Sequence, residues 1–216
     1  MKKILSTLLL LLPLLVAAQA EPGTYILVDN RQVVYHGKLK IVHGELRARD
    51  DSGKRQVWKP DEVYWARVGT QAYLPAKDFQ IPNSLSFRPI AYGLAAVLDS
   101  GRLTLLRYDY EVRGPGIMRA NGSMGGMGST TLSAYLLQLP TEESAQLIPM
   151  NYFSGKGADF KAMLAPYFAS RPDLVQLLEK GEISRRNLAA FVHAFNTKQP
   201  FVAPRYPGPP ADVTQD

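Results

Sequence analysis

From Thr24 onward the chain reads as short β-branched and aromatic runs separated by turn signals. Tyr25-Ile26-Leu27-Val28 meets Asp29-Asn30, Val33-Val34-Tyr35 resumes, and His43-Gly44 and Asp51-Ser52-Gly53 interrupt the next two apolar stretches. Turns this closely spaced predict an antiparallel meander. Residues 58–63, with Pro60 near their start, predict one helical turn or a tight loop. Residues 64–68 and 71–74 predict further short strands, whereas Pro75, Pro82 and Pro89 argue against a continuous central strand across 75–93. The clearest hairpin follows, with strands at 94–98 and 102–112 around Asp99-Ser100-Gly101. Along its second strand Thr104, Leu106, Tyr108, Tyr110 and Val112 share one face, and Leu103, Leu105, Arg107, Asp109 and Glu111 share the other. The second face turns polar toward its end, which predicts one buried face and one partly wet face. Residues 131–139 continue the sheet after a loop.

The C-terminal part changes period. Phe160, Met163, Leu164, Tyr167 and Phe168 recur at helical spacing, with Pro166 expected to end or kink the helix. Ser170-Arg171-Pro172-Asp173 predicts a second helix capped by Ser170, carrying Leu174, Leu177 and Leu178 on one face and stopped at Gly181. Ser184 is expected to cap a third, whose apolar stripe is Leu188, Phe191, Val192 and Phe195. The resulting fold class is α+β, an antiparallel β-rich meander or sandwich-like domain followed by a short C-terminal helical unit. Its expected divisions are a signal peptide at 1–20, the β domain at 21–152, the helical unit at 153–198 and a proline-rich tail at 199–216.

The signal peptide is read from Lys2 and Lys3, an apolar run from Ile4 to Val16 that is too short to span a bilayer, and Ala18-Gln19-Ala20. Cleavage is expected between Ala20 and Glu21. The 216-residue chain has a formal charge of +6 from 25 basic and 19 acidic side chains. Without Lys2 and Lys3 the balance is 23 against 19, or +4, a weak argument for a polyanionic partner when spread over the chain. There is no cysteine. Disulfide staples, thiolate catalysis, zinc-thiolate and iron–sulfur sites, and a lipid anchor on cysteine are therefore excluded. A periplasmic or secreted bacterial protein without a transmembrane segment in its mature form is expected, and nucleic acid is disfavoured as a partner.

Candidate chemistry is sparse. The segment 113–130 holds six glycines and three methionines, Met118, Met124 and Met127. It lacks the lysine of a phosphate loop and the first glycine of a nucleophile elbow, where Asn121 stands. Its methionines are soft donors suited to cuprous copper, but no histidine or cysteine accompanies them. A loop this long is more simply a contact surface for envelope glycan, lipid headgroups or another protein. His36 and His43 fall in what read as adjacent strands, and no third metal ligand is nominated; His193 is expected at the edge of the last helix. Asp109 and Glu111, about 6.5–7 Å apart on one strand face, are the best carboxylate pair and fit the spacing of an inverting glycosidase. Arg107 shares their face as a ready charge partner, and Lys54-Arg55 and Arg185-Arg186 read as solvated surface.

Tyr25-Ile26-Leu27-Val28-Asp29-Asn30, Val33-Val34 and Gly37-Lys38-Leu39, together with Ala190-Phe191-Val192-His193-Ala194-Phe195-Asn196, resemble the two ends of uncharacterised secreted proteins common in Bacteroidetes. Those open with a strand, a short polar turn and a second strand ending in Gly-Lys-hydrophobic, and close on a helix ending in Tyr-Asn. Here Arg31 stands where glycine or aspartate is more frequent, and Phe195 where tyrosine is usual. The resemblance implies export and brings no activity, cofactor or catalytic residue. The leading expectation is a non-catalytic binding or structural component of the bacterial envelope, with no cofactor and no assigned catalytic, cofactor-binding or metal residue. The alternatives are a periplasmic glycan or peptide hydrolase using Asp109 and Glu111, and a methionine-based copper binder.

Overall fold

The computed structural model describes residues 20–83, 86–113, 129–149 and 157–204. Among these residues ten antiparallel strands form one sheet: β1 (Glu21–Leu27), β2 (Asn30–Val42), β3 (Glu45–Arg49), β4 (Arg55–Trp58), β5 (Val63–Val68), β6 (Gln71–Asn83), β7 (Ser86–Asp99), β8 (Thr104–Arg113), β9 (Ser129–Gln138) and β10 (Gln146–Leu147). Three helices follow among the described residues, α1 (Ala158–Phe168), α2 (Pro172–Glu179) and α3 (Leu188–Thr197). The antiparallel β domain with a C-terminal helical unit is thus the architecture the sequence predicts. Strand order is β10-β9-β8-β7-β6-β5-β1-β2-β3-β4, so the meander breaks once, where β5 returns beside β1. A 3-10 turn at Pro60–Glu62 makes that return, as Pro60 suggested.

Sheet curvature divides the apolar side chains into three clusters. Tyr25, Leu39, Leu46, Val63, Ala66 and Leu94 fill the curl of β1–β5 and the start of β7. Phe79, Ile81, Leu106, Tyr108, Tyr110 and Leu136 fill a second between β6, β8 and β9. The third lies between the helices and the outer side of β8 and β9, where Leu103, Leu105 and Leu137 meet Phe168, Phe191 and Phe195. Leu103 and Leu105 therefore face the helices while Leu106 and Tyr108 face the sheet interior, the alternation read from the sequence.

The prolines at 75, 82 and 89 do not exclude strands. Pro75 opposes Leu94, Pro82 opposes Phe87 and Pro89 opposes Gln80 in the long β6–β7 ribbon. β6 pairs with β5 only from Gln71 to Tyr73, and β7 pairs with β8 only from Ala96 to Asp99. Beyond those limits each strand has one ladder neighbour, so a proline nitrogen turned to the open side sacrifices no hydrogen bond. At Asp78, φ is 50°, and the interval between core residues becomes three, from Ala76 to Phe79. That bend lets β6 meet the segment before β10, where Ala145 N–H donates to the Lys77 carbonyl at 2.9 Å.

Two caps differ from expectation. α2 starts at Pro172, so Arg171 rather than Ser170 occupies the cap; α3 starts at Leu188, so Asn187 rather than Ser184 does. Asn187 Oδ1 instead accepts from Ser184 N–H at 2.7 Å, closing the turn before the helix. Pro166 sits within the last turn of α1, where its missing N–H removes only one bond. Among the described residues no helix is long and apolar enough to cross a membrane.

Candidate functional site

The β8–β9 hairpin aligns Asp109 with Ser133, Glu111 with Thr131 and Arg107 with Tyr135. Where β8 runs past the helices, its outer face becomes the polar ladder expected from the sequence. Ser133 Oγ donates to Asp109 Oδ1 at 2.6 Å, and Arg107 Nε stands 3.2 Å from the same oxygen. The Tyr73 phenol lies close enough to feel both charges, and burial is the main cause raising its pKa. Asp109 is thus already satisfied on one oxygen by neighbours from its own face.

Glu111 is engaged differently. β7 pairs with β8 only from Ala96 onward, and before that point the β2–β3 turn wedges between them: Leu94 N–H donates to Gly44 O at 2.9 Å. The same turn places His43, at φ 54°, with Nε2 3.5 Å from Glu111 Oε2. Gly44 is required there, because a Cβ would meet the Tyr108 ring at 2.9 Å and its φ is 79°. His36 lies within β2 and His43 follows that strand, so the two are seven positions apart on one extended segment and cannot converge. The sequence reading that put them in adjacent strands is corrected by this register. Among the described residues no group of three or more His, Asp and Glu could hold a metal ion.

Asp109 and Glu111 side chains are 43% and 50% exposed. A general acid at neutral pH needs an enclosed, apolar setting that disfavours its charge. Neither carboxylate has one. The open groove of about 640 Å³ between α1 and α2 lies elsewhere, lined by Ala165, Ala169, Val175 and Gln176 with Asp173 and Glu179 at its polar side.

A second polar cluster was not anticipated. Asn196 on α3 donates to Asp99 Oδ2 at 2.6 Å and to Leu103 O at 2.8 Å, and accepts from Leu103 N–H at 2.9 Å. His193, one turn earlier, holds Nδ1 2.9 Å from Asp99 Oδ1. Gly101 admits the Asn196 side chain, which would otherwise lie 2.8 Å from a Cβ. This acid–histidine pair supplies two of the three members of a hydrolytic triad, but among the described residues no hydroxyl reaches the His193 ring. It clasps the β7–β8 turn to α3. The only sequence signal was the i, i+3 spacing of His193 and Asn196; their partner lies more than ninety positions away.

Met118, Met124 and Met127, with nearly all of the 113–130 loop, lie outside the described residues, as do the signal-peptide positions before Ala20. Ala20 is exposed, and Glu21 opens β1 opposite Leu39. No protein-family model matches the chain, and neither the curated proteins nor the solved structures compared with it give a match.

Proposed function

We propose that this is an exported, non-catalytic binding or structural component of the bacterial cell envelope. The observation that supports this reading best is the state of its best carboxylate pair. Asp109 and Glu111 lie on an open sheet face, one tied to Ser133 and Arg107 and the other facing His43, rather than converging on an enclosed cavity. The other acid–histidine pair, Asp99 with His193, ties a turn to a helix, and among the described residues no nucleophile stands at its ring.

The test has two arms. Cell fractionation with mass spectrometry of the recovered chain should find it in the envelope or medium, beginning at Glu21. Purified protein and its Asp109→Asn/Glu111→Gln variant should be equally inactive on peptidoglycan fragments and envelope peptides. Turnover by the parent that the variant loses while still folded overturns the non-catalytic reading in favour of a hydrolase. Recovery in the cytosol with an intact N-terminus overturns export.

A further inference from the structure

The modest net charge hides a concentrated one. The β-ladder registers place Arg67 opposite Thr24 and Thr24 opposite His36, Lys38 opposite Arg49 and Arg49 opposite Arg55, and Lys40 opposite Arg47. All these positions share the sheet face opposite the Tyr25–Leu39–Leu46 core, because their alternate neighbours Tyr35, Leu39, Ile41, Leu46, Ala48 and Ala66 fill it. Besides Arg67, five lysines and arginines crowd this one face: Lys38, Lys40, Arg47, Arg49 and Arg55 occupy three adjacent strands. Among the described residues of these strands the carboxylate on that face is Glu45, beside the turn, and it opposes Val42 rather than a cation. Asp50, in the β3–β4 connection, is occupied by Ser52 Oγ and Lys54 N–H. Among the described residues none of these cations forms an ion pair.

Like charges directly opposed across strands destabilise a sheet. Lys38–Arg49–Arg55 and Lys40–Arg47 are two such rows, with no acid interleaved to relieve them. An arrangement that costs stability and serves no internal pairing points to an external anion. The field is broad: five strands give about 19 Å across, and His36 to Lys40 about 13 Å along. It is a sheet face turned away from the Tyr25–Leu39–Leu46 core, with His36, Lys38, Arg49, Arg55 and Arg67 exposed, not a cleft that would grip a single small anion. Between the cations stand exposed Val57 and partly buried Trp65, whose ring carries Arg67 at 5.4 Å. Cations mixed with an indole and an aliphatic side chain match the headgroup region of a bilayer, where charged tips meet phosphate and amphipathic rings settle at the interface.

We infer that the face formed by His36, Lys38, Lys40, Arg47, Arg49, Arg55 and Arg67 docks the protein on anionic phospholipid headgroups at a membrane surface. The choice of lipid over nucleic acid rests on the exported reading above. The face itself does not.

Purified protein is sedimented with vesicles of equal parts phosphatidylglycerol and phosphatidylcholine, and with pure phosphatidylcholine vesicles as the control for apolar insertion. Binding is expected to the anionic vesicles and to weaken steeply as salt rises. Each cation near such a surface contributes about five-fold in affinity, so Lys38→Gln/Arg49→Gln/Arg55→Gln should lose about a hundred-fold. Relief of repulsion should raise the melting temperature of that variant by about 1–4 °C, opposite to the sign expected of a structural role. Lys180→Gln/Arg185→Gln/Lys198→Gln removes the same charge from the helical unit and should bind as the parent does. Equal losses in the two variants, unchanged binding by the first, or preference for soluble polyphosphate or duplex DNA over anionic vesicles overturns the assignment. Failure on vesicles by a protein that fractionates to the envelope sinks the docking face alone; vesicle binding by a protein found in the cytosol sinks the exported reading alone.

Discussion

At the scale of single residues, Asn196 makes the most consequential contact. Its amide reproduces a strand's pairing with Leu103, donating to the carbonyl and accepting from the N–H, and its second proton reaches Asp99. Asn196→Ala leaves those groups unpaired beneath α3 and should cost about 2–3 kcal/mol in urea-induced unfolding. His193→Ala removes a contact from a ring that is 63% exposed and should cost under about 1 kcal/mol. Comparable losses in the two variants would show that the His193–Asp99 contact holds the clasp as much as the amide does. Lys198 offers the reverse case. It closes α3 at φ 59°, a left-handed conformation that glycine adopts without steric cost, so Lys198→Gly should stabilise by about 0.5–1 kcal/mol. Neither effect was legible beforehand, since the sequence marks neither the left-handed position nor the distant partner of Asn196.

Among elements, what pairs locally was legible and what closes over distance was not. The Asp51-Ser52-Gly53 turn, the β8 alternation and the stripe of α3 all follow from neighbours within a few positions, and all stand where the sequence puts them. The strands at 75–93 failed that reading because proline tolerance depends on how many ladders flank a strand, which is a property of topology. The junction of β6 with the segment before β10 is of the same kind. Lys77 Nζ and Glu143 Oε2 lie 2.7 Å apart there, and the bond lowers the Glu143 pKa while raising that of Lys77. The depressed carboxyl stabilises the fold above its unfolded value near 4.5, and that contribution is lost as pH falls through the lower folded value. The raised amine contributes below its ordinary 10.5 and ceases to do so as pH rises through its folded value. Both groups are solvent-facing, so the effect is small. The pH profile of Glu143→Gln against the parent should therefore differ between those limits and converge at acid pH; a difference persisting undiminished below the carboxyl range would assign it to something other than this pair.

For the whole molecule, the question is whether sheet and helices unfold together. The helical unit has no core of its own that excludes the strands: Phe168, Phe191 and Leu164 are buried against Leu103, Leu105, Leu137 and Ile148, with Arg171 tying the start of α2 to the Ala194 and Gln199 carbonyls. Separating the two would expose that cluster on both sides, so neither half has an independent stable state at low denaturant. The two tryptophans, Trp58 and Trp65, lie near the N-terminal core while all three described helices lie at the other end. Indole fluorescence and helical circular dichroism therefore report on opposite ends of the chain, and their urea transitions should coincide. Phe191→Ala, which empties the centre of the shared cluster, should cost about 3–5 kcal/mol and move both transitions equally. If only the dichroism midpoint moves, the helical unit melts by itself. The sheet would then be the stable body, and its cationic face would remain presented after the helices are lost.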